Sequence, residues 1–124
     1  MKKRNLLVDT DIFIHYLNHR QYRHYLESAG WQVYYSVVTK KELLAKQGLS
    51  DRERRAILLL LKRYRQITVT QTIADCYAKL RQLYSGLERE DAIIAASALV
   101  RRIPFLTGNQ KHFRLIAGLT LLSP

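Results

Sequence analysis

Residues 5–17 read NLLVDTDIFIHYL. NLLVD, residues 5–9, has the form of a short buried strand. It is an unbroken apolar run closed by a carboxylate. DIFIHYL, residues 11–17, spaces its apolar side chains as a short helix does, with Thr10 or Asp11 as its N-cap. A buried strand that passes straight into a helix is the opening of a β-α-β unit. The rest of the chain repeats that alternation. A second helical piece over 20–28 ends at Gly30, and VYYSVV (33–38) reads as a strand. Thr39 then begins a T-x-x-E pattern with Glu42, the spacing of a capping box, on a helix that Gly48 stops. Helix 50–65, strand ITVT (67–70), helix 71–84, helix 89–102, strand PFLT (104–107), a short helix in 108–113 and an edge strand LTLL (119–122) follow. Strands alternating with helices predict an α/β fold of three layers, α/β/α, around a mainly parallel sheet. No linker, repeat or low-complexity tract divides the chain, so residues 1–124 are expected to be one domain.

The charge is lopsided. There are 21 Lys and Arg against 10 Asp and Glu, a formal net charge of +11. The basic residues are spread over KKR (2–4), KK (40–41), RERR (52–55), KRYR (62–65) and RR (101–102). Such a surface favours polyanionic partners, nucleic acid or an acidic protein. Eight tyrosines offer either stacking surfaces for unpaired bases or packing contacts. No run approaches the roughly 18 apolar residues of a membrane helix. The basic start, MKKRN, is followed by an apolar run too short for a secretory signal. A cytoplasmic protein is therefore expected. Its single cysteine, Cys76, fits a reducing compartment and a packing role in a helix.

Against that basic background a few acids fall at strand ends and helix starts. In a parallel α/β sheet, ligands collect beyond the carboxyl ends of the strands. Asp9 ends the first strand, Glu42 lies early in the helix after the second, Asp91 starts EDAIIAASAL, and Asn109 follows PFLT. All four can meet at one rim. Converging carboxylates repel unless a cation lies between them, and hard oxygen donors suit Mg²⁺ or Mn²⁺. Each residue also has a plainer role. Asp9 is either a ligand or a turn and cap residue, and Asp11 either a helix cap or a group acting on the metal through water. Glu42 is either a ligand or the capping partner of Thr39, and Asp91 either a ligand or a favourable charge at a helix start. Glu88 and Glu90 read as solvated surface. Asp91 is preferred over them because Ala95 and Ala98, at i+4 and i+7, let its helix approach the sheet. His15, His19 and His24 read as surface or packing groups. Zinc-type His/Cys spacing, a glycine-rich nucleotide loop and a G-x-S-x-G elbow are all absent from the sequence.

With those residues in place, the chain resembles the PIN-domain family, and within it the VapC-like ribonuclease toxins of bacterial type II toxin–antitoxin systems. LLVDTDIFI is similar to that family's first strand followed by Asp-Thr, TKKELL to the segment supplying its glutamate, EDAIIAASAL to its D-x-x-I-A-A-x-A motif, and FLTGNQKHF to its T-x-N-x-x-D-F motif. The resemblance covers nearly the whole chain. It implies a metal-dependent endoribonuclease acting through Mg²⁺ or Mn²⁺. Asp9, Glu42 and Asp91 would be metal ligands and Asn109 a further catalytic group. Thr10, Asp11, Thr107 and His112 would support them, with Lys40, Lys41 and Lys111 as RNA contacts. It further implies a homodimer, and an antitoxin that inserts a segment near the active site and in this family commonly binds operator DNA. His112 stands where many members have a fourth aspartate, which removes a negative charge and implies weaker metal occupancy. Two other readings stay open: a catalytically weak or inactive domain that binds RNA or an antitoxin, and a nuclease acting on single-stranded DNA.

Overall fold

The computed structural model describes residues 2–124. Its elements in chain order are β1 (Arg4–Val8), α1 (Thr10–His19), α2 (Arg23–Leu26), β2 (Trp31–Ser36), α3 (Val37–Leu44), α4 (Asp51–Leu61), β3 (Arg65–Ile67), α5 (Gln71–Leu83), α6 (Arg89–Arg101), β4 (Phe105–Leu106), α7 (Gln110–Phe113) and β5 (Leu121–Leu122). The five strands form one sheet in the order β3-β2-β1-β4-β5. Every pairing in it is parallel.

The three layers follow from the alternation of side chains along β1. Leu7 faces one side with Tyr34, Ile67 and Phe105, where the small residues of α6 and Ile73 and Leu80 of α5 cover it. Leu6 and Val8 face the other side with Val33, Tyr35 and Leu106, under Ile12 and Phe13 of α1, Leu43 of α3 and Leu60 and Leu61 of α4. Leu6, Leu7 and Val8 have no solvent exposure, as expected of a central strand covered on both faces. Cys76 is half-buried against the first of these cores. No helix among the described residues is long and apolar enough to cross a membrane.

Several boundaries differ from the sequence reading, each for a local reason. The second strand ends at Ser36, not 38. The Ser36 hydroxyl accepts from the Val38 amide at 3.1 Å and caps a helix that starts at Val37. Val37 and Val38 have β-prone side chains, but the cap and the end of strand pairing at Ser36–Ile67 override that preference. Thr39 therefore lies inside α3, fully buried, and does not cap it. A true capping box opens α4 instead, between Ser50 and Glu53. That helix stops at Leu61, short of 65. The third strand lies at Arg65–Ile67, not 67–70, because the Thr70 hydroxyl accepts from the Ile73 amide and commits the chain to α5. The second helical piece shrinks to Arg23–Leu26, because α1 runs on to His19 and Arg20 closes it in the left-handed region. The cap of α1 is Asp9, not Thr10 or Asp11.

Candidate active site at the carboxyl edge of the sheet

The strand order reverses between β1 and β4. Successive connections build outward from β1 to β2 and β3, and then α5 and α6 carry the chain back to β4 on the other side of β1. The loops leaving two neighbouring strands at such a point diverge, which opens a crevice at their carboxyl ends. Asp9 leaves β1 there and Thr107 leaves β4, with the Asp9 amide donating to the Leu106 carbonyl at 3.0 Å.

Asp9 is the anchor of the site and is 5% exposed. Its Oδ1 accepts from the Thr10 amide at 2.8 Å and its Oδ2 from the Thr107 hydroxyl at 2.7 Å. Thr107 in turn accepts from the Asn109 amide at 3.0 Å. Burial pushes the Asp9 carboxyl up to about 7, against the pull of the Thr107 hydroxyl, and the nearby Asp11 and Asp91 charges add to the rise. Asp9 thus caps α1 with one oxygen and takes the Thr107 hydroxyl with the other, at the end of β1 beside β4.

The next residue reaches the opposite wall. The Thr10 hydroxyl donates to Glu42 Oε1 at 2.7 Å and lies 3.0 Å from the Thr39 hydroxyl. The T-x-x-E pattern puts Thr39 and Glu42 on one face of α3, which explains the spacing without a capping box. Burial raises the Glu42 carboxyl, the Thr10 hydrogen bond opposes the rise, and Glu90 and Asp91 add to it. Asp91 sits in the first turn of α6. Burial raises it as well, while His112 opposes that, with His112 Nδ1 3.3 Å from Asp91 Oδ2. Ala95 and Ala98 are buried below it, so the helix lies close against the sheet.

Asp11 completes the cluster. Its Oδ2 accepts from the Gly108 amide at 2.9 Å, and its Oδ1 is buried with no protein partner. Burial raises this carboxyl too. A Cβ on Gly108 would come within 2.5 Å of Asp11 Oδ2. Gly108→Ala is therefore expected to displace Asp11 and lower stability by about 1.5–3 kcal/mol, the value of a lost charge-assisted hydrogen bond. A urea midpoint unchanged by the substitution would show that Asp11 does not depend on that amide.

Lys111 shares a cleft of about 460 Å³ with Asp91, His112, Glu88 and Tyr84. Lys40 and Lys41 lie on α3 and do not line it. Glu90 is exposed, yet its charge is felt at both Glu42 and Asp91. His15, His19 and His24 are exposed, as read from the sequence. Gly108 and Thr39 were not singled out as site residues, since only the fold shows what their backbone and hydroxyl hold.

The donors at this edge are carboxylate oxygens with one imidazole beside them, the chemistry of a hard or borderline divalent cation. The partnerless Asp11 oxygen and four carboxyls raised by burial fit a missing positive charge. Among the described residues, no three His, Cys, Asp or Glu side chains stand close enough together to hold a metal ion as they are placed.

The family profile of the PIN domain matches residues 6–119. The chain belongs to the PIN-domain family. Ribonuclease VapC1 of Methanocaldococcus jannaschii is 26% identical over 113 residues, covering 87% of this PIN domain and 78% of that protein. A chain of a toxin–antitoxin complex from Klebsiella pneumoniae superposes with a TM-score of 0.79 at 30% identity, covering 93% of this chain and 95% of the other. A chain of VapBC2 from Rickettsia felis, solved bound to a DNA fragment from its promoter, has a TM-score of 0.85 at 20% identity over 97% and 98% of the two chains. The expected fold is borne out, and the PIN domain is related to VapC-type toxins in sequence and structure.

Proposed function

We propose that residues 1–124 form a single PIN-type nuclease domain, a divalent-metal endoribonuclease that serves as the toxin of a cytoplasmic toxin–antitoxin pair. The observation that carries this reading is the electrostatic one. Asp9, Glu42 and Asp91 come from three different elements, and each is raised by burial and by its acidic neighbours, in a chain of net charge +11. Asp9 is buried, Asp91 partly buried and Glu42 exposed, and a fold gains no stability by bringing three acids to one edge of a basic body. The names of the related ribonuclease and toxin–antitoxin chains point the same way.

Asp9, Glu42 and Asp91 would hold Mg²⁺ or Mn²⁺, partly through water. When bound, the ion supplies an acidified water and a positive charge that offsets the charge growing on the phosphate. The chain's own groups do the positioning. Thr107 and the Thr10 amide fix Asp9, and the Thr10 hydroxyl fixes Glu42, so one dipeptide sets two carboxylates from separate elements. Asp11, anchored on the Gly108 amide, supports the site from beside Asp9. Asn109, tied to Thr107 through its amide, offers its side chain to the phosphate at the end of β4. Lys111 at the cleft mouth, with Lys40 and Lys41 on α3, holds the RNA backbone.

The antitoxin part of the reading has its own support. A second cleft of about 460 Å³ runs beside Glu42 and is lined by Ile14, Leu17, Leu43, Leu49 and Ile57. It suits an amphipathic antitoxin segment that ends near the acidic site. A homodimer is part of the proposal by analogy with the family.

Parallel digests of RNA and single-stranded DNA by the purified protein test the activity. RNA should be cut in Mg²⁺ or Mn²⁺ and spared in EDTA, with the DNA intact in both. Cleavage that survives EDTA, or no cleavage at millimolar metal, would overturn the proposal. The second outcome would leave a binding domain in its place.

A further inference from the structure

We propose that the edge of the sheet opposite the acidic crevice is a second RNA contact, anchoring the phosphate backbone of an RNA long enough to reach round the domain to that crevice. The inference rests on the RNA-cleaving reading above and adds a surface to it. In a parallel sheet every strand starts at the same edge. Three of the five basic runs lie at those starts: KKR (2–4) leads into β1, KRYR (62–65) leads into β3, and RR (101–102) ends α6 just before β4. Lys3 and Arg63 line one open cleft of about 410 Å³ with Trp31, Gln32 and Tyr64. Lys3, Arg4, Lys62, Arg63, Arg65 and Arg101 are all exposed. None of them has a carboxylate partner among the described residues. Glu27 also lines the cleft, but its oxygens are taken by the Tyr16 hydroxyl, Arg20 and Arg23.

Unpaired cations in such number suit a polyanion. Charge alone would serve an acidic protein as well as RNA, and the aromatic rings favour RNA. Arg4 Cζ lies 4.5 Å from the centre of the Trp31 ring, and Arg101 Cζ 5.2 Å from that of Tyr34. Guanidinium and aromatic planes are the surfaces on which unpaired bases stack. A run of acidic side chains makes no use of them.

The two edges divide the work by charge. Strand β1 is five residues long, so they lie roughly 16 Å apart at about 3.3 Å per residue. The carboxylates of the crevice repel a phosphate backbone until a cation is bound. An anchor at the far edge holds the RNA where acids do not oppose it.

Fluorescence anisotropy of a labelled single-stranded RNA of ~30 nucleotides, titrated with the full chain in EDTA, tests this without any cleavage. Lys3→Gln, Arg63→Gln and Arg65→Gln are combined in one variant, with circular dichroism as the check on folding. Its slope of log affinity against log salt should be smaller by about 2, and its affinity lower on the order of 100-fold at ~0.1 M salt. Arg52→Gln, Arg54→Gln and Arg55→Gln remove the same charge from α4 and should leave both near the wild-type values. A wild-type slope in the first variant, or equal losses in the two, would overturn the proposal and leave the nuclease reading standing. Polyglutamate bound by the wild type as tightly as RNA, and lost in the first variant, would make the face a site for an acidic protein and overturn it as well. The expected losses in a protein that cuts no RNA with metal present would sustain the anchor and sink the nuclease reading. A wild type that binds no RNA would overturn both.

Discussion

Asp9→Asn is expected to slow RNA cleavage on the order of 10³-fold while the protein stays folded. The two halves of this expectation have separate causes. Asparagine is as good an N-cap as aspartate, so its side-chain oxygen keeps the Thr10 amide. Its amide nitrogen donates to the Thr107 hydroxyl oxygen, which has a lone pair to spare beside the one used by Asn109. The fold thus loses little, whereas the site loses the anionic oxygen nearest the end of β1. Single-turnover cleavage of RNA, with circular dichroism as the check on folding, measures both. A folded variant that cuts at the wild-type rate would remove Asp9 from the chemistry.

The second large effect is on stability. The metal-free protein is expected to become less stable, relative to Asp9→Asn, as pH rises from 5 to 7.5. The Asp9 carboxyl moves from an ordinary 3.8 to about 7 on folding, so between those values the folded state holds a proton that the unfolded chain has released. A carboxyl raised in this direction favours folding below about pH 4, and the benefit disappears as pH climbs to 7. Between pH 5 and 7.5 the difference is of order 2–3 kcal/mol. Asp11, Glu42 and Asp91 are raised too, but they are present in both proteins and drop out of the comparison. Glu27 and Glu53 are lowered by their hydrogen bonds and act in the opposite sense, and they are common to both proteins. Urea denaturation of wild type and variant across this range gives the difference directly. Adding Mg²⁺ or Mn²⁺ at pH 7.5 should recover stability in the wild type alone, since an ion bound only by the folded state stabilises it by mass action. Parallel stability curves for the two proteins would contradict the buried-charge picture.

The sequence carries some of this site plainly and hides the rest. Asp9 was legible because an acid directly after LLV has to stand at the end of a buried strand. Asp91 was legible because the alanines behind it mark a helix pressed against a sheet. Glu42 was legible from its place early in the helix after the second strand, and its competing reading as a capping partner does not hold. Its spacing from Thr39 looks like a cap, but Ser36 caps α3, and the same spacing serves to present two polar groups to Thr10. Local pattern cannot separate these cases, because the partner lies about 30 residues away. The anchoring of Asp11 by the Gly108 amide and of Asp9 by Thr107 spans nearly the whole chain. Such contacts exist only once β1 and β4 are neighbours, and nothing in either segment alone announces them. The misplaced third strand has the same origin. ITVT has the composition of a strand, but Thr70 is used as a cap and β3 takes Arg65 and Gln66 in its place.

Anomalous scattering from a crystal grown with Mn²⁺ addresses the shared-ion hypothesis most directly. One strong peak is expected in the crevice between β1 and β4, within direct or water-bridged reach of Asp9, Glu42 and Asp91. Manganese bound only elsewhere on the surface, or no peak with the metal at millimolar concentration, would contradict it.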